Sequence, residues 1–171
     1  MPISPFTGKI HMYKRHTVFA FTAIAFLAGC ASGPRAVSVA DTLASQPTLS
    51  TLNGLVAKAG LTDTLKGTGP FTVFAPTNEA FSKVPAATLQ ALANDPVKLK
   101  AVLSYHVLPG KVMAADVKNG NSKTVNGADL ALSRAGDFVT VDDALVQTPD
   151  ISATNGIVHI VDGVLMPPVG R

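Results

Sequence analysis

The chain has 171 residues, 47% hydrophobic and 15% charged, with a formal net charge of +3, one cysteine and no tryptophan. That length and apolar fraction suit one domain with a buried core and argue against global disorder. One cysteine excludes an internal disulfide framework and any zinc site with several thiolates. The basic excess bears on nucleic acid or anionic lipid only if it lies in the folded part. It lies ahead of it: residues 1–29 contain Lys9, Lys14 and Arg15 and no acid, whereas 30–171 hold 11 basic and 11 acidic residues. A formally neutral remainder lacks the phosphate-neutralising excess that drives nucleic-acid binding, so no nucleic-acid partner is expected.

The first element is an export device. Lys14, Arg15 and His16 precede an uncharged run from Thr17 to Gly29, and Cys30 follows. The run suits a signal-peptide core and falls short of the roughly 20 apolar residues of a membrane-spanning helix. Met12 offers a second start, with MYKR as its positive region. Leu27-Ala28-Gly29-Cys30 resembles a bacterial lipoprotein signal. The resemblance implies that residues 1–29 are removed, that the Cys30 thiol carries a diacylglyceryl group and that the new amine is acylated. Ala31, where an aspartate would imply inner-membrane retention, is compatible with the outer membrane. Two or more acyl chains give stable attachment. Residues 30–38 are then the lipidated cysteine and a short linker, and the lipid is the expected membrane contact.

From Val39 the pattern is helical. Leu49, Leu52, Leu55, Val56 and Ala59 share one helix face, and Gly60 follows as a C-terminal cap. A short segment, LTDTLK, leads to the loop Gly67-Thr68-Gly69-Pro70. Phe71–Ala75 reads as a strand ended by Pro76, with Phe71 and Phe74 on opposite faces. Thr77 or Asn78 caps the next helix, which buries Ala80 and Phe81. Further helices are expected at Ala86–Ala93 and, behind the cap Asp95 and Pro96, up to about Ser104. After Tyr105-His106 and the turn Pro109-Gly110, short apolar runs alternate with turn signals: Leu130–Leu132, Phe138–Val141, Ala144–Val146, Ile151–Ala153 and Ile157–Val161. These are hairpin-like strands, with Asn155-Gly156 a tight turn of positive φ. Helices first and strands later make the class α+β.

Phe71-Thr72-Val73-Phe74-Ala75-Pro76-Thr77-Asn78-Glu79-Ala80-Phe81 resembles the first signature segment of fasciclin domains. The stretch from Asn155 to Pro168 resembles the second, and Tyr105-His106 stands where that family carries its Tyr-His motif. The resemblance covers residues 39–168, with 169–171 as a tail. It implies a fasciclin-like fold, a twisted β-sandwich or wedge of about seven strands with several packed helices. It also implies an extracytoplasmic adhesion-type or partner-binding module, whose partner is a protein or glycan at the cell surface or envelope. Phe74, Thr77, Asn78, Asn155, Gly156, His159 and Asp162 are its structural signature residues. Tyr105 and His106 are the candidate partner-binding residues by resemblance; core packing with a bonded hydroxyl is the other reading of Tyr105. With a single domain copy the chain is expected to be monovalent; a monomer is the expected state, and a non-adhesive accessory role in the envelope is the alternative.

No cofactor is expected. His159 and Asp162, three apart on a strand, point to opposite faces and do not form a metal site. Ser104, His106 and Asp162 can be drawn as a hydrolase triad, but no G-x-S-x-G elbow or oxyanion loop accompanies them. Asp142-Asp143 reads as a solvated turn, and His106 and His159 as hydrogen-bonded buried residues.

Overall fold

The computed structural model describes residues 37–168. The expected signal segment 1–29, Cys30, most of the linker and the tail 169–171 lie outside the described residues. Val37 and Ser38, read as linker, belong to the fold. The Val37 carbonyl accepts the Thr154 N–H at 2.9 Å, and the Ser38 hydroxyl caps α1 (Val39–Ser45) through the Asp41 N–H. Pro47 starts a 3-10 turn, Pro47–Leu49, that separates α1 from α2 (Ser50–Lys58). Leu49, Leu52 and Val56 are buried as their spacing requires, and Gly60 closes the helix at φ +66°. The segment LTDTLK contains a helix, α3 (Thr62–Lys66), which buries Leu65.

Thr77 is the N-cap of α4 (Asn78–Ser82), its hydroxyl accepting the Ala80 N–H at 3.1 Å. Helix α5 (Ala86–Asn94) follows. Asp95 caps α6 (Pro96–Tyr105) by accepting the Val97 and Lys98 N–H groups, each at 3.1 Å. Leu99, Val102 and Leu103 are buried on one face of α6, which ends a residue beyond the expected Ser104.

Seven strands form one sheet in the order β2-β1-β7-β6-β5-β4-β3. They are β1 (Phe71–Pro76), β2 (Val107–Pro109), β3 (Gly120–Lys123), β4 (Asp129–Ala135), β5 (Phe138–Val141), β6 (Ala144–Ala153) and β7 (Gly156–Val161). The fold is α+β, a near-barrel sheet with six α-helices among the described residues. Strands β2 and β3 carry too little apolar alternation to stand out in the sequence. The two runs Ala144–Val146 and Ile151–Ala153 are one strand, β6, whose register shifts twice against β7 between Val146 and Ile151. Pro149, which has no N–H to donate, and Asp150, at φ +59°, sit in that irregularity.

The strands are not all hairpins, because β1 runs parallel to β7 over Phe71–Pro76 and Gly156–Val161. All six residues of β7 and five of β1 are buried. Strands covered on both faces read as continuous apolar runs. Their alternate side chains enter two cores. Val73, Ala75, Val158 and Ile160 join the helix-covered core with Leu43, Leu52 and Leu99. Phe74 and Val161 join the second, with Tyr105, Leu130, Val141 and Leu165. Phe71, on the opposite face from Phe74, is only half-buried.

Candidate functional site

Asn155 is held at the N-terminal ends of β1 and β7 and joins three distant segments. Its Oδ1 accepts the Val39 N–H at 2.8 Å, and its Nδ2 donates to the carbonyls of Leu65 and Gly67 at 2.7 and 2.8 Å. One amide thus caps the start of α1 and the end of α3. Its backbone carbonyl accepts the Phe71 N–H. Gly156 is not in the positive-φ region, contrary to the tight-turn expectation. It is glycine because of close approach: a Cβ there would lie 2.1 Å from the Phe71 carbonyl oxygen. Gly69 faces the Asn155 carbonyl in the same way, with 1.9 Å to a Cβ.

His159, on β7, is 2% exposed and stacks on Phe74 with ring centroids 5.5 Å apart. Its Nδ1 accepts the Asp150 N–H at 3.1 Å, so Nε2 carries the proton and donates to the Val112 carbonyl at 2.9 Å. Burial holds its pKa below the ordinary value. Asp150 in turn accepts the Ala114 N–H, and Thr72 Oγ1 donates to the Gly110 carbonyl and accepts the Val112 N–H. Three side chains from three strands therefore fix the loop after β2, which presents Lys111 and Met113 to solvent.

Tyr105 and His106 end α6 inside the fold, each 2% exposed. His106 uses the opposite tautomer from His159. Its Nδ1–H donates to the Val102 carbonyl at 2.8 Å, and its Nε2 accepts the Leu165 N–H at 3.0 Å. Burial pushes its pKa down to about 4. The Tyr105 hydroxyl has one proton and two acceptors, Asp142 Oδ2 at 2.9 Å and the Asp129 carbonyl at 3.1 Å. Burial, reinforced by the Asp142 carboxylate, raises its pKa to about 12. Both side chains thus have internal partners. The Phe74 N–H bonds the His106 carbonyl while its ring stacks on His159, so Phe74 links the two histidines.

Asn78 caps α2, its Oδ1 accepting the Thr51 N–H and its Nδ2 donating to the Pro47 carbonyl. Asp162 Oδ1 accepts the Leu145 N–H at 2.7 Å, continuing the β6–β7 pairing past its last register pair. His159 and Asp162 therefore serve different partners, and the structure does not bring Ser104, His106 and Asp162 together as a relay. Asp142 corrects the reading of Asp142-Asp143 as merely solvated. It occupies a turn at φ +49°, but its carboxylate accepts both the Tyr105 hydroxyl and the Ala131 N–H. Sequence reasoning missed Asp142, Asp150 and Thr72; the adjacent acids between two strands were the one signal for the first.

The family model for the fasciclin domain matches residues 47–167. The chain belongs to the fasciclin-domain family. This fasciclin domain is 40% identical over 136 residues to Protein sll1483 of Synechocystis sp., covering 78% of this chain and 76% of that protein. It is 39% identical over 147 residues to the cell surface glycolipoprotein MPB83 of Mycobacterium bovis, covering 83% and 64%. It is 37% identical over 124 residues to the transforming growth factor-beta-induced protein ig-h3 of Sus scrofa, where it spans 71% of this chain but 18% of that protein. Among solved structures, the fasciclin domain pair of the insect cell adhesion molecule fasciclin I matches with a TM-score of 0.62 at 19% identity. That match covers 78% of this chain and 51% of the insect chain, and it shows the shared fold.

Proposed function

We propose that this protein is a lipid-anchored binding module of the bacterial envelope, held at the outer membrane by Cys30 and engaging a protein or glycan partner as a monomer. The carrying observation is the similarity over 83% of the chain to a cell surface glycolipoprotein, together with Leu27-Ala28-Gly29-Cys30 at the front. Among the described residues no helix is long and apolar enough to cross a membrane. A non-enzymatic role is supported by His106 and His159, whose ring nitrogens are all engaged with backbone groups. The Tyr105–His106 pair acts on a partner through the segments it positions, since both rings are buried.

Two measurements test the reading. A labelled fatty acid should enter the wild-type protein and be absent from Cys30→Ser, which should leave the membrane fraction. A labelled, membrane-bound Cys30→Ser protein would sink the lipid anchor. External protease on intact cells should then cleave the domain; complete protection with an intact anchor would replace adhesion by an accessory periplasmic role.

A further inference from the structure

One cavity among the described residues is apolar through its depth and open at the surface. It measures about 220 Å³ and lies between α2, α4, α5, α6 and the segment after β7. Phe81, Leu99 and Leu103, all buried, line its inner part. Leu89 and Leu92 of α5 line it from the other side and are only half-buried. Helix α5 is the only α-helix among the described residues with no buried side chain, and it packs chiefly on α6. It therefore covers the cavity without filling it.

The chemistry of the lining selects the occupant. No Lys, Arg, Asp or Glu lines the cavity, so a charge inside would be unpaired. Thr51 and Gln90 are exposed, at the rim, and both ring nitrogens of His106 already have partners. A buried water needs two to four polar partners, which the inner wall does not offer. An apolar cavity of roughly 150 Å³ lined by Leu, Ile and Phe stays dry and takes up benzene. The present one, at about 220 Å³, is larger than that.

We infer that this cavity is a binding site for the short apolar chain of an uncharged small molecule, with α5 as its cover. The alkyl part lies against Leu99, Leu103 and Phe81, and a polar end reaches the rim at Thr51 and Gln90.

The test is a titration of the full chain, labelled at its Leu and Val methyl groups, with 1-hexanol. Methyl signals of Leu89, Leu92, Leu99 and Leu103 should shift saturably, while those of Leu130 and Val141 in the second core stay in place. Affinity should fall about fourfold for each methylene removed on going to 1-butanol. Ala93→Phe, which fills the cavity from α5, should weaken binding at least tenfold with the Leu130 and Val141 signals unchanged. Leu89→Trp serves the same purpose if Ala93→Phe does not fold. Shifts that grow linearly without saturation, that spread to Leu130 and Val141, or that persist at full affinity in a folded filled variant would overturn the inference.

Discussion

His106 and His159 are opposite tautomers in the same condition: buried, neutral, with one ring nitrogen donating and the other accepting. A neutral imidazole is the side chain that offers one donor and one acceptor at a fixed angle, which suits each to join two backbone segments. Neutrality makes both sensitive to acid. The unfolded His106 has its ordinary pKa of 6.5, whereas the folded one is lowered to about 4. Below 6.5 the unfolded chain takes up a proton that the native chain refuses until about pH 4. Stability from this group is therefore complete above pH 6.5 and falls as pH drops towards 4, by about 3 kcal/mol. His159 is shifted in the same direction. Urea midpoints at pH 7.5 and 4.5 should show a smaller loss in His106→Asn than in the wild type, although the variant is weaker at pH 7.5. Equal losses in the two proteins would sink the assignment.

At the scale of elements, short helices need outside help, because a single turn or two gains little from propensity. Helices α3 and α4 have five residues each. Asn155 closes the end of α3 and the start of α1: its Nδ2 donates to the Leu65 and Gly67 carbonyls, and its Oδ1 accepts the Val39 N–H. Asn155→Ala leaves three partly buried backbone groups without these partners and should destabilise the domain by about 2–4 kcal/mol. Hydrogen exchange should accelerate first at Val39 and through α1, before β7. Unchanged protection in α1 would show that the amide is replaceable by water. The caps of α4 and α6 were readable in advance, since Thr77 and Asp95 act within one turn of their own position. The local sequence shows Asn155 only as a turn residue, since the partners that define its role lie 90 and 116 positions away.

The whole molecule has two cores but one framework. Strands β1 and β7 send alternate side chains into both, and α6 contributes Leu103 to one and Tyr105 to the other. The cores should therefore unfold together. Leu130→Ala, fully buried in the second core, should cost about 2–5 kcal/mol. In the chain freed of residues 1–29, Tyr105 is the only tyrosine, and urea unfolding followed by helical ellipticity and by tyrosine fluorescence should give coincident transitions that shift together. Separate midpoints would mean two cooperative units. The neutral composition behind Cys30, the α+β class, the helices α2, α4, α5 and α6 with the caps Thr77 and Asp95, the strand β1 and the strands from Leu130 onward are legible in the chain itself, whereas α3, β2, β3 and the Ser38 cap are not. The legible elements follow from periodicity and capping, which operate over a few neighbouring residues. That β1 lies parallel to β7, that Gly156 is glycine for contact with Phe71 rather than for its φ, that Tyr105 and His106 face inward, and that α5 covers an unfilled apolar space emerge only once the chain is folded. Each of those depends on contacts between segments far apart in the chain, which no local pattern encodes.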